Sequence, residues 1–226
     1  MARILSAIKA WFVPSGTKVR IVKLGLLKGL KMNLDFRSDT QTLLGLWEKE
    51  IHSYMRTFTR EAKTGIDVGA SEGAYSLYFL SQANIRRVYA FEPSESESLS
   101  MLSNLSINGF REDHRLMLIH KYVANHDDHD HCTLDSLAVD LEGPCVVKID
   151  IEGGEREVLK GAEKLLDRRD VSWVIETHSA ELEKECVQVL TSKGLATKII
   201  KDAWWRLIIP EQRPITPNRW LVAWHE

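Results

Sequence analysis

Four carboxylates end apolar runs in this chain: Asp67 in GIDVG, Glu92 after RVYAF, Asp150 in CVVKIDIEGG and Glu176 in VSWVIETH, with His178 just beyond. A carboxylate attracts a cation or accepts hydrogen bonds from hydroxyls, and an imidazole exchanges its proton near neutral pH. Gly69-Ala70-Ser71-Glu72-Gly73 follows the first acid and leads into apolar residues 74–80. A strand, a glycine turn and a helix in that order form a loop that holds a ligand at a helix N-terminus. A dinucleotide would require a second glycine where Ser71 stands. Asp67 at the strand tip also repels a phosphate and attracts a cation. A ligand with an ammonium and a sulfonium suits it better, and S-adenosylmethionine carries both. Glu92 stands at about the separation of the ribose-binding acid in nucleotide folds. The plain alternative is a buried strand-to-helix turn followed by an exposed acid.

These acids need strands to hold them. Apolar runs at 65–68, 88–91, 115–123, 145–151 and 171–178 alternate with helix-compatible stretches at 74–80, 94–108, after Gly153-Gly154, and at 180–193. That order predicts an α/β fold with a doubly wound, mostly parallel sheet. Ligands of such sheets bind outside the carboxyl ends of the strands, so the four acids share one rim. Val123 and Ala124 end a strand, where small apolar residues suit an adenine face. Residues 195–201, 204–209 and 219–224 read as further strands. Their Trp204, Trp205, Trp220 and Trp224 either pack the sheet or line an acceptor pocket. Lys148 inside a central strand requires a charge partner, the nearest being Asp150, Glu152 and Glu155. Residues 38–60 read as a helix with Leu43, Leu44, Leu46, Trp47, Ile51 and Tyr54 on its apolar side. Glu48 there either lines the cofactor site or is an exposed helix acid. The helix at 94–108 packs through Leu99, Leu102, Leu105 and Ile107.

The chain has 226 residues, 44% hydrophobic and 27% charged, which fits one domain with extensions. A net charge of -2 gives no global pull toward nucleic acid. Cys132, Cys145 and Cys186 show neither a disulfide frame nor zinc spacing, so a reducing, cytoplasmic setting is expected. Charge interrupts the early apolar run and no clean cleavage site follows, so no signal peptide is expected. Residues 1–37 read as a basic extension and 38–226 as the S-adenosylmethionine-binding domain. Within the extension, Ile4, Leu5, Ile8, Trp11 and Phe12 make an amphipathic helical stripe. It serves as a membrane-surface or partner-binding helix, or as a cap on the domain. Two short strands around the turn from Gly25 to Gly29 follow. His126-Asp-Asp-His-Asp-His131 has metal-ligand types without scaffold spacing and reads as a solvated turn.

The motifs together resemble the FkbM family of S-adenosylmethionine-dependent methyltransferases. The matching stretches are IDVGASEGAYS (66–76), YAFEPSESESLSMLSNLSING (89–109), TLDSL (133–137), VKIDIEGGEREVLKGA (147–162) and VIETH (174–178), and LLGLWEKE (43–50) is similar to the segment before the first motif. The resemblance implies the class I methyltransferase fold, a Rossmann-like seven-stranded sheet whose last strand is antiparallel. It implies that Asp67, Gly69, Ala70, Ser71 and Gly73 hold the methionine part of the cofactor, Glu92-Pro93 the ribose, and Val123-Ala124 the adenine. It further implies O-methylation of a small molecule, natural product or glycan. Ser71-Glu72 and Ser94 depart from the commoner residues without removing a charge the cofactor needs.

A hydroxyl acceptor has a pKa of roughly 16, so its proton must pass to a base or be acidified by a metal. Asp150 is the first candidate, with Glu152 and Glu155 after it and Glu176 and His178 on the next strand. His178 is either the base or a helix cap. Two or three of these carboxylates with His178 also have the makings of a divalent-cation site. The alternatives are an NAD-dependent oxidoreductase, which Ser71 and Asp67 disfavour, and a non-catalytic cofactor-binding module.

Overall fold

In the computed structural model, residues 15–137, 141–207 and 219–226 are described. Seven strands form the central sheet: β3 (Thr64–Val68), β4 (Arg87–Phe91), β5 (Leu116–Ile119), β8 (Cys145–Ile149), β9 (Val171–Thr177), β10 (Ala196–Ile200) and β11 (Arg219–Trp224), while the short β6 (Tyr122–Val123) and β7 (His131–Cys132) pair with each other. The order in the central sheet is β10-β11-β9-β8-β3-β4-β5. All pairings are parallel except those of β11, which runs antiparallel to β9 and β10. The doubly wound sheet with an antiparallel last strand is therefore as expected. Every residue of β3 and β8 is buried, as strands covered by helices on both faces must be. The chain leaves β3 toward β4 on one side and returns to β8 on the other, so the carboxyl end of β3 lies at the switch point.

Helices α3 (Ala74–Ser81), α4 (Glu95–Ile107), α5 (Glu155–Lys160) and α7 (Ala180–Ser192) follow their strands at the expected places, with the short α6 (Glu163–Leu166) after α5. The expected packing face of α4 holds at Leu105, which is buried, and at Leu102, which packs against the core, but is corrected at Leu99. Leu99 is 61% exposed, while Ser98, Met101, Asn104 and Leu105 are buried. Asn104 earns its burial through hydrogen bonds, its Oδ1 accepting from the Asn33 amide and its Nδ2 donating to Glu72 O.

The expected helix at 38–60 is broken into α1 (Thr40–Leu43), a turn at Lys49–Ile51 and α2 (His52–Thr59). The break has a steric cause. Gly45 lies at φ 65° and its missing Cβ would sit 2.3 Å from the Leu24 carbonyl. Residue 45 must be glycine for the hairpin β1 (Thr17–Ile21)–β2 (Lys31–Asp35) to approach this closely. The hairpin turns where expected, and its Val22, Leu27, Met32 and Leu34 join one buried cluster with Ile51, Met55 and Leu77.

Beyond β10, Trp204–Leu207 form a helical turn rather than the expected strand, and the remainder of 204–209 lies outside the described residues. Arg206 explains the turn. Its guanidinium is buried and forks onto Glu50, with further bonds to Gln41 Oε1 and Leu46 O. The amphipathic stripe at 4–12 also lies outside the described residues.

Candidate active site

The glycine loop sets the floor of the site. Gly69 N and Ala70 N both donate to Phe91 O, at 3.1 and 3.0 Å, folding the loop back over β4. Gly69 adopts φ 75°, and a Cβ there would stand 2.0 Å from Asp150 O. Only glycine permits that contact between the β3 and β8 tips. Ser71 also takes a left-handed φ of 46°. Its N–H donates to Glu92 Oε2 at 2.8 Å, while Ser94 N–H donates to Glu92 Oε1 at 2.8 Å. The Glu92 carboxylate is thereby fixed in orientation and keeps lone pairs for two more donors, as a ribose diol requires.

Asp67 lies near the carboxyl end of β3, just before the glycine loop. It is fully buried beneath the loop and does not line the cleft. Its register partner on β8 is Lys148. Lys148 Nζ lies 3.7 Å from Asp67 Oδ1, 3.2 Å from Asp150 Oδ2 and 3.2 Å from Gly69 O. Asp67 Oδ2 accepts from Ser76 Oγ at 2.7 Å. Asp67 and Asp150 are thus the partners of Lys148; Glu152 and Glu155 are not. Burial opposes the lysine's charge, but the carboxylates of Asp150, Asp67 and Glu48 outweigh it and hold its pKa above the ordinary value. Asp67 therefore acts on the cleft from beneath, through Lys148 and Ser76, rather than by lining it.

A second network begins at Glu155, the first residue of α5, which is wholly buried. Its Oε1 accepts from His178 Nδ1 at 2.5 Å and from the His178 backbone N–H at 3.1 Å. In the neutral ring this fixes the proton on Nδ1 and leaves Nε2 with its lone pair. Nε2 stands 3.7 Å from Asp150 Oδ1. His178 is not a helix cap, since Ser179 Oγ caps α7 by accepting from Leu182 N–H. Burial lowers the His178 pKa, but Glu155, Glu176 and Asp150 outweigh it, so the net shift is upward. Burial would raise Asp150, yet Lys148, a hydrogen bond from Glu176 and the charge of His178 hold it below the usual carboxylate range.

Glu48 completes the site. Its backbone is left-handed at φ 48° and its side chain is buried. Tyr75 Oη donates to Glu48 Oε2, and the Tyr75 ring lies 5.0 Å under Lys148 Nζ. Burial, reinforced by the charge of Asp150, pushes the Glu48 pKa well up. Of the two readings of Glu48, the structure selects the one in the site.

One cleft of about 900 Å³ brings these groups together. Of the residues expected in the site, Gly69, Ser71, Glu92, Pro93, Val123, Ala124, Asp150, Glu152, Glu176 and His178 line it. Ala70 and Gly73 shape the turn from beneath, with Gly73 N–H donating to Ala70 O at 2.8 Å and Gly73 heading α3. Sequence reasoning missed the pairing of Glu155 with His178, 23 residues apart, and all of Tyr75. The one available signal for Glu155 was its place at a helix start after Gly153-Gly154.

Asp150, Glu176 and His178 offer ligand atoms within 4.8 Å of one another, as do His126, Asp128 and His131. In the second group Asp128 Oδ1 is occupied by the N–H groups of Asp130 and His131 and by His131 Nδ1. That is the expected exposed turn.

Glu92→Ala is expected to weaken S-adenosylhomocysteine binding by about 10- to 100-fold, the loss of roughly 1.5–3 kcal/mol from hydrogen bonds to a charged group. Calorimetric titration reads this directly.

Residues 118–200 match the family model of the methyltransferase FkbM domain. The FkbM resemblance is borne out. The matched stretch of the FkbM domain includes Asp150, Glu155, Glu176 and His178 and leaves the glycine loop outside it. Among solved structures, the chain is similar to methyltransferase FkbM from Methylobacillus flagellatus KT, with a TM-score of 0.57 and 17% identity over 73% of this chain and 44% of that one. It thus spans less than half the length of that FkbM relative. It is also similar to precorrin-6y C5,15-methyltransferase from Geobacter metallireducens GS-15, with a TM-score of 0.53 and 16% identity over 79% and 88% of the two chains. An rRNA methylase from Streptococcus thermophilus has a TM-score of 0.53 and 16% identity over 78% and 96%. At such identities the likeness is one of fold, and the fold is the class I methyltransferase sheet that the FkbM resemblance implied. No curated protein matches the sequence.

Proposed function

We propose that this chain is an S-adenosylmethionine-dependent O-methyltransferase acting on a hydroxyl of a small molecule or glycan. The observation that carries this reading is His178, held through Nδ1 by buried Glu155 with Nε2 directed toward Asp150, in the cleft that also holds the pre-oriented Glu92. Gly69, Ser71, Glu92, Pro93, Val123 and Ala124 would hold the cofactor. When bound, the cofactor supplies a methyl group already activated by its sulfonium, which leaves positioning, desolvation and proton removal to the protein. His178 Nε2 accepts the acceptor's hydroxyl proton, and Glu155 stabilises the resulting imidazolium. Asp150 and Glu176 orient the hydroxyl. Lys148 keeps Asp150 ionised and already places a positive charge 3.2 Å from it, so the reading needs no divalent cation, for which the comparisons offer no support. Carboxylates at Asp150 and Glu152 repel phosphates, which favours an uncharged acceptor over nucleic acid. Three free, buried cysteines fit a reducing, cytoplasmic setting.

Thermal-shift binding tests the cofactor. Saturating S-adenosylhomocysteine, at about 100 times its Kd, should stabilise by about 2.7 kcal/mol and raise Tm by roughly 5–10 °C. NAD should leave Tm unchanged, and stabilisation by NAD alone would overturn the reading. Release of S-adenosylhomocysteine across a panel of sugar and polyketide hydroxyls then tests the acceptor. Cofactor binding with no acceptor ever methylated would instead support a binding module.

A further inference from the structure

The tip of the β1–β2 hairpin is both apolar and basic. Val19, Ile21 and Leu24 are exposed by 53%, 47% and 56%, within six residues of one another. Across the hairpin, Val19 faces Asn33 and Ile21 faces Lys31, so neither has an apolar partner on β2. Exposed Leu44 borders the same tip, since Lys23 N–H donates to Leu43 O and Gly45 lies against Leu24. Lys23, Lys28 and Lys31 are exposed among these side chains. Arg3, Lys9, Lys18, Arg20, Lys23, Lys28 and Lys31 all precede the first acid, Asp35. Aliphatic side chains left in water beside exposed lysines match a surface that offers hydrocarbon and negative charge together.

We propose that this hairpin tip docks the protein on an anionic phospholipid bilayer. Val19, Ile21, Leu24 and Leu44 enter the headgroup boundary, and Lys23, Lys28 and Lys31 contact lipid phosphates. No described helix is long and apolar enough to cross a membrane, so the contact is peripheral. A nucleic-acid partner would reward the lysines but not the aliphatics, and the hairpin residues 17–31 include no aromatic ring for base stacking. The inference is independent of the acceptor and of the base assigned above.

Co-sedimentation of the full chain with vesicles is the test. Binding is expected to phosphatidylcholine vesicles containing about one-third phosphatidylserine, absent for phosphatidylcholine alone, and lost at high salt. Lys23→Glu with Lys28→Glu and Lys31→Glu should weaken it at least about 100-fold, at roughly fivefold per lysine. Val19→Ser with Ile21→Ser and Leu24→Ser should weaken it about tenfold or more. All six positions are exposed, so Tm and S-adenosylhomocysteine binding should not move. The proposal is overturned by absence of vesicle binding, by vesicle binding that both triple variants retain, or by tip-dependent binding of RNA in its place. Tip-dependent self-association without vesicle binding also overturns it.

Discussion

Lys148→Met is expected to cost about 3–5 kcal/mol and to lower Tm by roughly 10 °C. The ammonium is buried between Asp67 and Asp150 and also donates to Gly69 O. Methionine fills similar volume, so little of the loss comes from packing. The loss comes from Asp67, whose Oδ1 has no hydrogen-bond donor and keeps only the lysine's charge. Without that charge a fully buried carboxylate must be protonated or stay uncompensated. Adding Asp67→Asn to Lys148→Met should therefore recover part of the lost Tm. A Lys148→Met variant that melts within about 2 °C of the wild type, a change of less than 1 kcal/mol, would show that the buried pair is not what holds β3 to β8 at the site. Differential scanning calorimetry measures both variants.

His178→Ala is expected to lower kcat by about 10²- to 10⁴-fold, the usual contribution of a positioned general base. Glu155→Gln is the more diagnostic variant. The base works only when neutral, so the wild-type rate should rise with pH through a midpoint above the ordinary histidine value. Glu155 is the leading cause of that elevation, through its hydrogen bond and its charge. Removing its charge must move the midpoint down, toward the ordinary value. Glu155→Gln should then show its largest deficit above the wild-type midpoint, where orientation alone is lost. Below that midpoint the deficit should shrink, because a larger share of the variant's His178 is neutral. The kcat–pH profile, followed by S-adenosylhomocysteine release, reads this shift. A midpoint that stays put would remove His178 from the role of base, and a purely structural Glu155 would move Tm without moving the midpoint.

The sheet was legible because period and punctuation agree. VYAF, CVVKI and VSWVIET are apolar enough to be central strands, and glycine or an acid closes each one. The helix at 38–60 was not legible in its details. Its apolar spacing allows a continuous helix, but the hairpin's approach to Gly45 imposes a break that only the packed structure contains. The same break turns Glu48 inward, where a helical surface position would have faced it to water.

The sequence by itself determined the chemistry available: acids at four strand ends, a glycine turn after the first, and a lysine that had to be paired. Tertiary structure alone decided which acid does what. Lys148 neutralises Asp67 because parallel register sets residues 67 and 148 side by side. Glu155 takes His178 because α5 begins beside the end of β9. A side chain's charge is written in its residue type, but its partner is fixed by distances of a few ångströms between segments far apart along the chain.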